Sequence, residues 1–214
     1  MSRLQTHGWM RLAAGIPLLD WAIMLGLGLV TLVTHAPMRT RVLAFWDSIL
    51  YARALDEFTI VAHQPQPPGY FFYVMTARLA RLLGAPDANT AYVWVSLAAT
   101  ALLVPTIYLV ATRLYSRAAA LAAALFAATA VAPWAYSGVA YPYTVLALGS
   151  ALLGGLCWLL RAGRLPPGLA GLLFGLLAGF RQDLLLFIGP LFLACLGRPR
   201  AGRYLPAAAG GLAG

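Results

Sequence analysis

From Ala91 to Val110 the chain runs without a single charged side chain. A helix rises about 1.5 Å per residue, so about twenty such residues match the hydrocarbon thickness of a bilayer. Comparable apolar runs cover Ile16–Val33, Ala118–Ala135 and Tyr143–Leu160. Shorter ones cover Pro166–Phe180 and Leu184–Leu196, and another begins at Tyr204–Gly214. The first run, broken only by Asp20 and Thr31, exceeds a signal-peptide core of about 7–15 residues and reads as an uncleaved first helix, with Asp20 near enough to its end to reach headgroups or water. Only 10% of the chain is charged and mean hydropathy is +0.80, a balance that a soluble domain of this size could not bury. The pattern predicts an all-α polytopic membrane bundle of six to seven transmembrane helices. Cys157 and Cys195 lie inside apolar runs and read as small hydrophobes, without metal-ligand spacing.

The fifteen basic residues are all arginines, spread through short loops between the apolar runs. That scatter argues against nucleic acid, which needs one basic face, and for orientation in a bilayer. With the N-terminus in the cytoplasm and the runs alternating, the inside segments hold nine arginines and Asp20, net +8. The outside segments hold six arginines and five acids, net +1. The positive-inside rule therefore puts residues 36–86, the first long loop, on the extracytoplasmic face.

That loop carries most of the chemistry. Val42, Phe45, Trp46 and Ile49 recur at helical spacing, and Phe71, Val74, Met75, Leu79 and Leu82 do so again; both stripes predict amphipathic helices at the interface. Thr76, Arg81 and Tyr73 fall off the second stripe. Asp47 and Tyr51 share the side of the first helix opposite its stripe. Between the helices, Pro65, Pro67 and Pro68 forbid regular helix. Asp47 beside Trp46 is a candidate general base, since a surface carboxylate stays ionised and can take a hydroxyl proton. Asp56 and Glu57 are secondary acidic candidates, and Arg53 can pair with Glu57 at i,i+4. His63 precedes the rigid turn. Arg181 and Asp183 interrupt two apolar runs on the loop's side, where ionisable groups pair or function; an arginine there can hold phosphate bidentately. Before them, Gly171, Gly175 and Gly179 form a stripe that lets another segment approach closely.

The order of pieces resembles the GT-C glycosyltransferase superfamily, and within it the bacterial relatives of the protein O-mannosyltransferases (glycosyltransferase 39-like enzymes). The pieces are FWDSILYARAL with Asp47, Tyr51 and Arg53; HQPQPPGY from His63 to Tyr70; a hairpin of spanning runs; and GFRQD from Gly179 to Asp183. The resemblance implies sugar transfer, with inversion, from a polyprenyl-phosphate donor to a protein, lipid or glycan hydroxyl on the outer face of a bacterial inner membrane. It implies that Asp47 is the base and that Arg181, with His63, Tyr70, Asp183, Arg53 and Tyr51, lies at the donor site. No cofactor is fixed by it, although a divalent metal would suit the leaving phosphate. Many relatives carry a second acid after the first-loop Asp, where this chain has Ser48. Relatives are also considerably longer, so residues 1–214 read as a transmembrane module incomplete at its C-terminus. The alternative is a non-catalytic membrane protein: a small transporter, a helper that binds a lipid-linked sugar, or an inactive fragment.

Overall fold

A computed structural model describes residues 15–196, which form nine α-helices and two short 3-10 turns, with no β-strand among the described residues. Helix α1 is Leu18–His35; α2 (Trp46–Asp56) and α3 (Phe71–Leu82) occupy the first loop; α4 is Ala88–Leu114. Then come α5 (Arg117–Thr129), α6 (Val131–Ser137), α7 (Tyr143–Arg161), α8 (Pro167–Ala178) and α9 (Asp183–Cys195). Three of these, α1, α4 and α7, are long and apolar enough to cross a membrane. The run expected at Tyr204–Gly214 lies outside the described residues.

The expected Ala118–Ala135 run is divided. Helices α5 and α6 meet at a 51° bend and together make a fourth candidate span. The break falls at Ala130, whose backbone is extended at ψ 139°. Extension there removes the helical donor for Ala128's carbonyl, which instead receives Nε2–H of His35 at 3.0 Å. His35 Nδ1 lies 2.9 Å from Ser137 Oγ, and its ring rests 4.5 Å from that of Trp134. His35 is wholly buried. An orphaned buried carbonyl costs about 1–3 kcal/mol, so this single side chain offsets much of the cost of the bend.

Helix α4 is the axis of the bundle: 44% of its most apolar window is buried, against 22% for α1. Its start is fixed by Asp87, whose carboxylate accepts from Thr90 N at 2.9 Å and from Thr90 Oγ1 at 2.8 Å. Those donors hold the Asp87 carboxyl below its ordinary value. At its far end Met24, Val104, Tyr108, Ala120 and Ala124 join α1, α4 and α5. Asp20 lies at the wall of a polar cavity near the start of α1. It is buried, and its Oδ1 accepts from the Tyr108 hydroxyl at 2.7 Å and from Arg117 Nε at 2.9 Å. Such partners offset the desolvation of a carboxylate with little exposure.

Helices α7, α8 and α9 pack side by side. Phe174 of α8 stacks on Phe192 of α9 at 4.7 Å over Leu153, Cys157 and Leu160 of α7. A Cβ on Gly149 of α7 would touch Leu184 at 3.7 Å, so the α8–α9 turn sits near α7's first turns.

The two loop helices form, and the faces they bury against the protein are not simply their apolar stripes. Val42 and Phe45 precede α2 rather than belonging to it. The buried face of α2 is Ser48, Leu50, Tyr51 and Ala54, while Trp46 is 70% exposed. Tyr73, expected off the stripe of α3, is completely buried with Val74, Ala77 and Ala80, whereas Leu79 and Leu82 are exposed.

Candidate functional site

The turn from Gly138 to Pro142 leaves carbonyls without helical partners, and neighbouring segments supply donors. Thr40 gives its N–H (2.7 Å) and Oγ1 (3.0 Å) to Gly138 O. Ser96 of α4 donates to Val139 O at 2.8 Å, and Ser48 of α2 donates to Ala140 O at 2.8 Å. Asn89 then donates to Thr40 O at 2.9 Å. The turn is thereby tied to α2 and α4 at once, which places Tyr141 beside Asp47. The Tyr141 hydroxyl donates to Asp47 Oδ2.

Around that pair stands a cluster of tyrosines. Tyr51 lies edge-on to Tyr70 and Tyr73, both at 5.2 Å between ring centroids, and to Tyr141 at 6.2 Å. Tyr92 packs on Tyr73 at 4.8 Å and donates its hydroxyl to Tyr51 O at 2.8 Å. Tyr143 lies 4.8 Å from Tyr141. Burial, reinforced by neighbouring phenols and the Asp47 charge, pushes the Tyr51 hydroxyl far above its ordinary value. Tyr141 is raised by burial and by its bond to Asp47. Both phenols therefore stay neutral at physiological pH, Tyr141 donating to Asp47 and Tyr51 accepting from Gln66 Nε2 at 3.2 Å.

The opposite edge of the cluster belongs to the α8–α9 turn. The Arg181 guanidinium lies 5.9 Å from the Tyr70 ring centre, and its Nε pairs with Asp183 Oδ2 at 2.7 Å. Gln182 donates to Pro68 O at 3.2 Å, and Phe72 N donates to Gly179 O at 3.3 Å. Glycine suits the close approach there, because a Cβ would lie 2.3 Å from the Phe72 ring and the ring would have to turn. The close approach expected of the glycine stripe thus occurs, at its last member, against α3. Beside this turn an apolar cavity of about 320 Å³ opens between α3 and α8, lined by Phe72, Met75, Thr76, Leu79, Leu176 and Phe180.

Of the residues singled out from sequence, the structure gathers Asp47, Tyr51, Tyr70, Arg181 and Asp183 around one cluster. The others stand apart. His63 is exposed on a tight turn with φ 55°, and its side chain makes no contact with the cluster. Arg53, Asp56 and Glu57 are exposed, and the Arg53–Glu57 pair is not formed because Glu57 terminates α2. Tyr70 also has positive φ, at 47°, directly after Gly69 at 114°; such backbone is costly for a large residue and marks an over-determined site. Tyr141, Ser48 and Ser96 had no sequence signal. The one available clue was the density of tyrosines in the turn PWAYSGVAYP.

A divalent ion would find one carboxylate at Asp47. Ser48, beside it, is buried and committed to Ala140 O, and no group of three or more His, Cys, Asp or Glu side chains lies together among the described residues. The residues present do not fit a resident metal, and no step below uses one.

Fold and site together define an all-helical protein with helices able to cross a membrane and a polar, tyrosine-rich cluster at one end of α4. No protein-family model matches the chain, and neither the curated proteins nor the solved structures compared with it give a match.

Proposed function

We propose that this chain is a membrane glycosyltransferase of the GT-C type, or the N-terminal module of one, moving a sugar from a polyprenyl-phosphate donor to a hydroxyl acceptor. The observation that supports it is the convergence of Asp47 and Arg181, distant in sequence, on one cluster of tyrosines beside an apolar groove. In this reading the acceptor hydroxyl gives its proton to Asp47 while its oxygen bonds to the anomeric carbon. The bond from that carbon to the phosphate oxygen breaks on the opposite side, inverting the centre, and polyprenyl phosphate leaves. Arg181 spends one N–H on Asp183; the guanidinium has four more to offer the departing phosphate.

The reading sets the bundle in a bacterial inner membrane with the N-terminus in the cytoplasm and the Asp47 cluster outside. It counts α8 and α9 as short crossings, which with the four candidate spans gives six. The resemblance in sequence to the glycosyltransferase 39-like enzymes supports the chemistry, and the arginine distribution supports the orientation.

A second reading has its own observation. Asp47 already accepts from Tyr141, and Arg181 is already paired with Asp183, so both charges are satisfied within the chain. A helper that binds a lipid-linked sugar without reacting would look the same. Transfer from a labelled polyprenyl-phosphate sugar in membranes separates the two. Under the proposal Asp47→Asn lowers transfer by about a hundredfold or more while donor binding persists. Transfer unchanged by Asp47→Asn removes the base, and donor binding without transfer in the wild type leaves the helper.

A further inference from the structure

The tyrosines gathered around Asp47 and Arg181 differ in what they leave open. Tyr51, Tyr70, Tyr73 and Tyr92 are buried, so their rings are closed to a ligand. Tyr141 is half-buried and spends its hydroxyl on Asp47. Tyr143, the first residue of α7, is 39% exposed. Its ring is held from two sides: Tyr141 lies 4.8 Å away, and Tyr136 lies 4.7 Å away, edge to face. A ring fixed in this way offers flat apolar surface at little entropic cost.

Tyr143 neighbours both ends of the site. It packs against Tyr141, which holds Asp47. The Arg181 guanidinium is near enough to Tyr143, as to Tyr70 and Tyr51, for their hydroxyls to act on its charge. A sugar in transit has its anomeric carbon between an acceptor hydroxyl at Asp47 and a phosphate at Arg181. The open ring that adjoins both of these residues is Tyr143. A hexose ring presents C–H groups on its face, which lie well on an aromatic ring, and hydroxyls at its rim, which reach phenols. We infer that Tyr143 is the platform on which the donor's sugar rests, so that the site tells a lipid phosphate carrying a hexose from the bare lipid phosphate. This rests on the reading that the site holds a lipid-linked sugar, in its catalytic or its helper form. The prenyl chain has the groove between α3 and α8, whose lining does not include Tyr143, so the contacts to sugar and to lipid are separable. An aromatic residue at the end of a spanning helix can also be a plain interface anchor. An anchor would treat both lipids alike.

The experiment measures binding to the full chain in detergent of farnesyl phosphate, and of farnesyl phosphate carrying mannose, glucose or galactose. At least one hexose should raise affinity over the bare phosphate by roughly fivefold or more, the scale of one aromatic contact. Tyr143→Ala should remove most of that gain and leave the binding of farnesyl phosphate unchanged. Tyr143→Phe keeps the ring and should retain the gain to within about twofold. Tyr115→Ala, at the other end of α4, should change neither lipid. If Tyr143→Ala loses thermal stability, Tyr143→Leu, which fills the space without a ring, takes its place with the same expectation. A loss shared equally by bare and sugar-bearing phosphates would mark an anchor and overturn the inference. So would a hexose gain that survives the substitution, or no gain from any of the three hexoses. In each of those cases bound farnesyl phosphate leaves the lipid-phosphate site standing. A wild type that binds none of the four lipids removes the reading itself, and the inference with it.

Discussion

Gly138 offers the sharpest test of how the Asp47 cluster is built. A Cβ there would stand 2.8 Å from Arg39 Cα, 3.1 Å from Met38 O and 3.2 Å from Arg39 N. All three are backbone atoms, so no rotamer change relieves the contact, and the segment after α1 must withdraw. That withdrawal stretches both hydrogen bonds from Thr40 to Gly138 O. Overpacking against a rigid neighbour costs about 1–3 kcal/mol. Two weakened hydrogen bonds add about 0.5–1.5 kcal/mol each. Gly138→Ala is therefore expected to destabilise by about 2–6 kcal/mol, taking these ranges together. Two companions calibrate the scale. Gly179→Ala meets chiefly the Phe72 ring, a side chain that can turn, with the nearest backbone atom, Leu176 O, at 3.3 Å, and should cost less. Gly154→Ala, inside α7 with nothing within 4 Å, should be neutral or gain up to about 1 kcal/mol. Thermal unfolding of detergent-solubilised protein, followed by circular dichroism, ranks the three. If Gly138→Ala melts with Gly154→Ala, the close packing of the turn against residues 38–39 is wrong, and with it the placement of Tyr141.

The tyrosines give two more outcomes. The Tyr73 hydroxyl is buried without a hydrogen-bond partner, whereas Tyr92's donates to Tyr51 O. Tyr73→Phe should be neutral or stabilising by about 1 kcal/mol and Tyr92→Phe destabilising by about 1–3 kcal/mol, so a reversed order in unfolding temperature contradicts the geometry. The hydroxyls of Tyr51, Tyr73 and Tyr141 are all raised, chiefly by burial, so the folded state holds their protons more tightly than the unfolded chain does. Their contribution is full below about pH 10 and is lost as pH climbs through the folded values, so the melting temperature should be level in the neutral range and fall above about pH 10. A melting temperature that holds steady well above that pH would mean these rings are not buried as described.

Hydropathy alone carried much of the architecture, because a long uncharged run has few alternatives to a helix. The sequence placed α7, α8 and α9 within about two residues of their observed ends, and placed α4 in its interior. What it missed has physical causes. The α5–α6 break carries no proline or glycine at Ala130, and its stabilising partner is a histidine 93 residues upstream. Asp20 gains its partners from positions 88 and 97 residues away, which no local pattern reveals. The buried face of α2 was not marked by its apolar spacing, because that spacing marks the side that avoids water, which need not face the protein. Ser48, Tyr51 and Ala54 turn inward, while Trp46 faces out. At the site, Asp47 and Arg181 stood out as charges in an apolar chain. Tyr141 looked like one more aromatic in a turn, and its part depends on the carbonyls that Ser48, Ser96 and Thr40 hold in place.

The histidine at the foot of α1 has a bearing on how the chain assembles. Helix α1 emerges from the ribosome long before α6 exists, yet it owns the proton that quiets Ala128's oxygen. The elbow gains its partner by folding back onto a segment made earlier in the chain. The bend between α5 and α6, and the aromatic turn that follows it, thus depend on a side chain of a helix made before either of them.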